Sequence, residues 1–171
     1  MLVLGIDPGI AITGCAVIKE EKSHLSLISS QGITTSAKLT TPERLCIIYE
    51  ELIKIIKKEK PDTASLESLF FNTNAKTALI VGQARGVIQL AHSQAKNPIT
   101  EYTPLQVKMA LTGYGRADKN QIQQMVKTIL KLPEILSPDD VADAAAIALT
   151  HCFSYKLINL KTQSEKLKTT A

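Results

Sequence analysis

The beginning of the chain alternates short apolar stretches with polar turns, at the spacing of β-strands. Residues 2–6 are apolar throughout, which is typical of a strand buried on both faces, and the pair Pro8-Gly9 predicts the turn that ends it. Residues 14–18 and 25–33 are also strand-like. Because the links between these stretches are short, the pattern predicts an antiparallel meander of three strands.

Helical spacing dominates the rest of the chain, interrupted by two short strand-like stretches. Thr41-Pro42 predicts a helix cap and a first-turn proline. The apolar side chains that recur every three or four positions after it predict a helix that stops before Pro61. Residues 63–67 and 99–102 are predicted strands, and residues 75–95 between them a long helix. Three more helices are predicted where a capping residue stands three positions before a side chain that can reach back to it. Their capping residues are Thr103, Asp118 and Ser137.

Strands at the start, followed by strand and helix in alternation, define the fold class. The order predicts an α/β domain with a mixed five-stranded sheet, an antiparallel meander followed by parallel strands, flanked by helices. A chain of 171 residues suits one such domain, which we expect over residues 1–155. Residues 156–171 are rich in Lys and Thr without clear periodicity, and they predict a basic, flexible C-terminal tail.

Composition excludes several classes of protein without selecting a function. With 44% hydrophobic and 21% charged residues, the chain resembles an ordinary globular protein, and no apolar stretch is long enough to cross a membrane. The short apolar start lacks a basic leader and a cleavage site, so we expect no signal peptide. The three cysteines are far apart, which argues against a disulfide framework or a zinc site and favours a reducing cytoplasm.

The formal net charge of +4 hides two opposed blocks. Residues 75–131 carry 8 basic and 2 acidic side chains, whereas residues 132–155 carry 4 acidic side chains and no basic one. The basic block suits a polyanion such as nucleic acid, and the acidic block suits a cation. Solvated helix faces would give the same charge pattern, so charge alone leaves both interpretations open.

Two carboxylates close predicted strands. Asp7 follows residues 2–6 and Glu67 ends the strand over residues 63–67, so both would meet at one edge of the sheet if these strands are neighbours. Glu is uncommon in strands, so a Glu at the end of a buried strand needs an explanation. Considered by itself, Asp7 has a structural alternative explanation, because an Asp before Pro8-Gly9 also opens a turn.

Two further carboxylates lie in the helix predicted from Ser137. Asp140 and Asp143 are three residues apart and share one helix face. Asp143 lies in a stretch that is apolar nearly all round, and a lone buried carboxylate is costly unless a cation or a donor pairs with it. Asp139 and Asp140 have a structural explanation as well, since acids are favoured in the first turn of a helix.

The four acids predict a hard divalent cation as their partner. No basic residue between positions 132 and 155 neutralises this helix, and converging carboxylates would repel one another. Oxygen ligands without His or Cys favour Mg²⁺, with Mn²⁺ as a possible substitute. Two such ions about 4 Å apart can activate a water on one side of a phosphodiester and stabilise the leaving oxygen on the other.

The basic block supplies candidates for binding a phosphate backbone. Lys108, Arg116 and Lys119 belong to a stretch in which Asp118 is the one acidic residue. Phe70 follows Glu67 by three residues in a polar segment, where an aromatic ring is placed to stack on a displaced base. A role in the hydrophobic core is the alternative for this ring.

Taken in order, these motifs resemble the RuvC family of Holliday junction resolvases over roughly residues 1–153. Each block is weak by itself, and the ordered set is specific. The blocks are Gly5-Ile6-Asp7-Pro8-Gly9, Thr13-Gly14, Glu67-Ser68-Leu69-Phe70, Gly82-Gln83-Ala84-Arg85-Gly86, Gln106-Val107-Lys108, Asp118-Lys119, Asp140-Val141-Ala142-Asp143-Ala144 and Thr150-His151-Cys152.

The resemblance implies an RNase H-like fold and a homodimer that nicks opposed strands of a four-way DNA junction, with Mg²⁺, in homologous recombination and DNA repair. It also implies the RuvA and RuvB branch-migration proteins as partners. Residues that match the family's catalytic, metal-binding acids are Asp7, Glu67, Asp140 and Asp143; Phe70, Lys108 and Lys119 match its DNA-binding positions. Some family members have His at the position of Asp140, and spacing to Asp143 selects Asp140 over Asp139.

Three alternatives stand beside this interpretation. A YqgF-like nuclease acting on RNA shares the fold but lacks the ordered Phe70, Lys108 and Lys119. Actin-like ATPases and kinases need two such domains to clamp a nucleotide, and this chain has neither a second domain nor a phosphate loop. A DNA-binding module without catalysis would use the basic block alone, and it leaves the burial of Asp143 unexplained.

Overall fold

The computed structural model describes residues 1–68 and 75–169, and it describes the backbone alone at 75–77 and 156–169. The strands are β1 Leu2–Asp7, β2 Ile12–Glu21, β3 His24–Thr34, β4 Thr63–Glu67 and β5 Ile99–Tyr102. The helices are α1 Thr41–Glu59, α2 Ala75–Gln94, α3 Pro104–Thr112, α4 Lys119–Leu130 and α5 Asp139–Thr169.

The strands form one mixed sheet in the order β3-β2-β1-β4-β5. β1 pairs antiparallel with β2, and β2 with β3, while β4 runs parallel to both β1 and β5. The predicted α/β fold with an antiparallel meander followed by parallel strands is therefore confirmed. β1 lies at the centre of the sheet, which explains why its sequence is apolar without interruption.

Helices cover both faces of the sheet, and the pleat decides which residues each layer receives. Leu4 and Ile6 pack on one face with α1 and α2. Val3 packs on the other face in a cluster with α3, α4 and α5. Since successive side chains of a strand point to opposite faces, Asp7 shares the face of Val3 and Gly5 and points toward the α5 side.

Two glycines allow α5 to lie directly on the central strands. A Cβ atom at Gly5 would lie 2.0 Å from the carbonyl oxygen of Ala144, and one at Gly14 would lie 1.9 Å from the carbonyl oxygen of Asp140. Any side chain at either position would therefore collide with the backbone of the helix. Gly14 pairs with Asp7 across β1 and β2, so this close approach sets the start of α5 beside the end of β1.

Helix starts agree with the predicted capping residues at two of four places. Thr103 and Asp118 accept hydrogen bonds from the third backbone N–H of α3 and α4. α1 is capped one residue earlier than expected, since Glu43 accepts hydrogen bonds from the backbone N–H and the hydroxyl of Thr40. Ser137 does not cap α5, because the helix begins at Asp139 and its first turn closes from Val141 N–H to the carbonyl of Pro138.

α5 passes through residue 155 and ends at Thr169. The domain boundary expected at residue 155 does not coincide with a break in this helix, and the flexible tail over 156–171 stays a prediction. Among the described helices, none has a stretch of the length and apolarity that a bilayer crossing needs.

A candidate active site at the carboxyl end of the central strands

Neighbouring strands present two of the predicted acids side by side. Ile6 of β1 pairs with Leu66 of β4, so Asp7 and Glu67 are the next residues along two parallel strands. Both face α5. The N-terminal turns of that helix carry Asp140 and Asp143, and the contact between Gly14 and the backbone of Asp140 sets the depth at which they sit. The four acids predicted to act together are thus gathered at one edge of the sheet.

The electrostatics of Asp7 show how close these charges are. Burial, first, and then the charges of Glu67, Asp143 and Asp140 raise the pKa of Asp7 to about 8, against the opposing charge of Lys119. Among the described residues, none donates a hydrogen bond to its carboxylate. A buried acid in this state is neutral at low pH and needs an external positive charge to ionise fully near neutral pH.

Glu67 and Asp143 are perturbed in the same direction. Burial and then the charge of Asp143 raise the pKa of Glu67, while Arg85 and Lys119 oppose the shift. Burial also raises the pKa of Asp143, against the hydrogen bond and charge of Lys119. Three neighbouring carboxyls with raised pKa values form a cluster that favours binding a cation.

Lys119 corrects one step of the sequence argument. Residues 132–155 contain no basic side chain that could neutralise Asp143, but α4 places the Lys119 ammonium 3.0 Å from Asp143 Oδ2 and 3.2 Å from Asp139 Oδ2. Asp139 also accepts a hydrogen bond of 3.1 Å from Gln123, so it ties α5 to α4. Asp140, not Asp139, contributes to the raised pKa of Asp7, which supports the choice of Asp140 for the site.

The chemistry of the donor set fits a hard divalent cation. Its members offer carboxylate oxygens alone, in a partly buried cluster with a deficit of positive charge. Within the described part of the chain, however, no three His, Cys, Asp or Glu side chains converge closely enough to ligate one ion. Asp143 is turned toward Lys119, whose ammonium lies 3.0 Å from Asp143 Oδ2.

A cavity of about 190 Å³ opens from the carboxylates toward the basic residues. Glu67 and Asp143 line one end, and Lys108 of α3 lines the cavity together with Lys119. The rest of the lining is apolar and comes from Pro104, Val107, Ile122, Ala146 and Ile147. Two predicted phosphate contacts therefore lie next to the predicted metal ligands in space.

The other two predicted DNA-binding residues are Arg116 and Phe70. Arg116 is exposed in the link between α3 and α4 and does not line the cavity. Phe70 lies outside the described residues, so its predicted stacking role stays a prediction.

Arg85 is a site residue that the sequence argument missed. Its side chain is 9% exposed; one guanidinium nitrogen donates to the backbone carbonyl of Glu67, and another lies 2.9 Å from Glu101 Oε2. Gln89 donates to the other oxygen of Glu101 at 2.8 Å. The signal was an Arg directly after Ala84 on the buried face of α2, where a charged side chain needs a partner.

Comparisons with known proteins identify the family and agree with the fold. A model of the family described as "Crossover junction endodeoxyribonuclease RuvC" matches residues 3–151. A relative of that name from Alkaliphilus oremlandii is 55% identical over 151 residues, which cover 88% of this chain and 92% of the relative. One from Halothermothrix orenii is 54% identical, covering 92% and 95%.

Solved structures give the same result. The structure of Thermus thermophilus RuvC in complex with a Holliday junction substrate superposes with a TM-score of 0.88 at 35% identity, covering 92% of this chain and 96% of that one. The yeast mitochondrial Holliday junction resolvase Ydc2 superposes with a TM-score of 0.71 at 15% identity, which shows a shared fold.

Proposed function

The chain belongs to the RuvC family of crossover junction endodeoxyribonucleases, and on that premise we propose how its residues resolve a four-way DNA junction. It is a nuclease of RNase H-like fold that resolves Holliday junctions in DNA recombination and repair. Its family depends on divalent metal ions. For this chain we propose Mg²⁺, with Mn²⁺ as a substitute, and two ions per site when DNA is bound.

The observation that carries the proposal is the gathering of acids from β1, β4 and α5 at one sheet edge. In this proposal Asp7, Glu67, Asp140 and Asp143 hold the ions, which supply positive charge to the scissile phosphate and lower the pKa of a water. The chain's own part is to fix the acids on rigid elements and to exclude solvent from Asp7. The low local dielectric then strengthens every charge interaction at the phosphate.

Residues around the adjoining cavity bind the DNA. Lys108 and Lys119 contact backbone phosphates next to the scissile one, since both line the cavity that contains Glu67 and Asp143. Arg116, exposed beyond the cavity, adds a phosphate contact farther along the strand. Phe70, three residues after Glu67 in the chain, stacks on a base displaced at the junction.

We propose a homodimer because paired nicks in opposed strands need two active sites. A groove between α1 and α2 suits the contact, and Leu90 in it is 51% exposed. The groove is lined by Leu45, Cys46, Tyr49, Glu50, Val87 and Leu90. Leu79, on α2 as well, is 67% exposed. Exposed leucines on one helix are typical of an interface between subunits.

Two further assignments follow from family membership. We propose that the protein works beside the RuvA and RuvB branch-migration proteins. We also infer a cytoplasmic location, where a bacterial chromosome presents four-way junctions.

The test compares cleavage of a synthetic four-way junction with cleavage of a linear duplex of matched sequence, in Mg²⁺ and in EDTA. The wild type is expected to cut the junction in Mg²⁺ but not in EDTA, and to leave the duplex intact in both. Asp7→Asn should bind the junction and lose cleavage by about 10³-fold or more, since it removes a ligand at the centre of the cluster. Glu134→Gln removes an exposed acid of the same sequence block and should cut like the wild type.

Each other outcome supports a different class of protein. Equal cutting of duplex and junction would contradict junction selectivity. Cutting of RNA in preference to both DNA substrates would favour the RNA nuclease. Binding of the junction by the wild type without any cleavage would favour a DNA-binding module.

A further inference from the structure

One lysine of α4 already occupies the position of a cation beside the acidic cluster. Lys119 is the first residue of α4, and its ammonium bridges Asp143 and Asp139 at 3.0 and 3.2 Å. Its charge also favours the ionised forms of Asp7 and Glu67. Lys119 therefore supplies part of the positive charge that the cluster requires.

The geometry of Asp143 shows what this pairing costs the metal site. Asp143 is 32% exposed and is directed at Lys119, and no three acidic side chains among the described residues converge on a common point. A metal ion that took Asp143 as a ligand would compete with the ammonium for Asp143 Oδ2. Two cations at short range on that oxygen repel each other, so each weakens the binding of the other.

The Lys119 side chain also borders a cavity in which it could pair with another anion. Its side chain is 53% exposed and lines the cavity that it shares with Lys108, Glu67 and Asp143. A phosphate in that cavity would offer the ammonium a new anionic partner. Asp139, which is 66% exposed and also bonded to Gln123, is the partner that could keep Lys119 near the site during the exchange.

We propose that the Lys119 ammonium is an internal counter-ion that competes with the divalent metal for Asp143, and that metal and junction DNA together transfer it from Asp143 to a backbone phosphate. The inference rests on the proposed function in one respect, that the carboxylates bind divalent cations. It goes beyond a phosphate contact, because it gives Lys119 an opposing effect on metal binding before DNA arrives. The carboxylates would then bind the divalent metal weakly until a DNA phosphate is present.

The test measures Mn²⁺ binding to the DNA-free protein by isothermal titration calorimetry. If Lys119 competes for Asp143, Lys119→Met should tighten Mn²⁺ binding by about two- to fivefold, which corresponds to the free energy of a partly exposed ion pair. Lys119→Gln should do the same with a polar side chain, which guards against an effect of one poorly folded variant. Lys127→Met removes the same charge from the last turn of α4 and is the matched control for net charge.

A second measurement tests the same exchange without metal titration. In EDTA, Lys119→Met leaves the cluster without its counter-ion, so its urea midpoint should fall below that of the wild type. Saturating Mg²⁺ should shrink or reverse this difference, because the metal then supplies the charge. Lys127→Met should keep a constant difference from the wild type in both conditions.

The outcomes separate this inference from the proposed function. Mn²⁺ binding that is equal or weaker in both Lys119 variants, relative to Lys127→Met, would overturn the competition. A urea difference between wild type and Lys119→Met that Mg²⁺ leaves unchanged would overturn it as well. If junction cleavage by the wild type survives EDTA, the proposed metal site itself fails, whatever the Lys119 variants do.

Discussion

The contact between Gly14 and α5 makes a quantitative prediction about catalysis. A Cβ atom added at Gly14 would lie 1.9 Å from the carbonyl oxygen of Asp140 and 2.3 Å from its carbonyl carbon. Ordinary contacts of this kind begin near 3.4 Å, so in Gly14→Ala the start of α5 must retreat by roughly 1.5 Å from β2. That movement takes Asp140 and Asp143 away from Asp7 and Glu67.

The expected effect on the reaction is large and the effect on DNA binding small. A displacement of about 1 Å in a catalytic group can cost about 100-fold in rate, so single-turnover cleavage by Gly14→Ala should fall by about that factor. Overpacking should lower the free energy of unfolding by about 1–3 kcal/mol. Junction affinity in EDTA should change by less than about threefold, since the basic residues lie on α3, on α4 and in the link between them.

Gly32 provides the matched control for this change. It pairs with Gly14 across β2 and β3, and its added Cβ would meet the Ile12 methyl group at 3.2 Å and Pro138 at 3.6 Å, which are side-chain atoms. Gly32→Ala should therefore cleave within about threefold of the wild type. The reasoning is refuted if Gly14→Ala cleaves at the rate of Gly32→Ala, or if both lose activity equally.

Three further predictions concern charge. For Asp7 the pKa of 3.8 expected in the unfolded chain rises to about 8 on folding, so the metal-free protein should lose stability as pH rises from about 4 to 8. Asn at position 7 cannot ionise, so in EDTA at pH 8 the free energy of unfolding of Asp7→Asn should exceed that of the wild type by at least about 1 kcal/mol. An unchanged urea midpoint would count against the raised pKa. Arg85→Met removes the bonds to the Glu67 carbonyl and the Glu101 carboxylate, so the free energy of unfolding in urea should fall by about 1–3 kcal/mol. The variant should slow cleavage more than it weakens DNA binding, and Arg85→Lys should be intermediate. Wild-type rate and stability in Arg85→Met would contradict this role. Lys108→Gln should lower the slope of log Kd against log salt by about 1, and a parallel line would argue against a phosphate contact.

The sequence was most informative where one local pattern determines the structure. The uninterrupted apolar run of β1 predicted a buried central strand, and the short links predicted the antiparallel meander, because both depend on neighbours along the chain. Asp7 and Glu67 could be placed together because each ends a strand. Asp143 was conspicuous because it stands in an otherwise apolar helix.

Contacts between distant elements could not be predicted in this way. The ion pair between Lys119 and Asp143 joins two helices, whereas residues 132–155 around Asp143 contain no basic side chain. The buried bonds of Arg85 depend on the packing of α2 against β4 and β5. The collision that keeps Gly14 free of a side chain depends on how deeply α5 sits, which is a property of the whole packed layer.

The central claim, that two carboxylate sites act together on a four-way junction, is tested most directly with a supercoiled plasmid that extrudes a cruciform. Two nicks made within one binding event convert the plasmid directly to the linear form, without release of a relaxed nicked circle. Single nicks release nicked circles. We predict linear product from the wild type in Mg²⁺, and none from Asp7→Asn or in EDTA. Nicked circles as the main early product, or linear product from Asp7→Asn, would contradict the account.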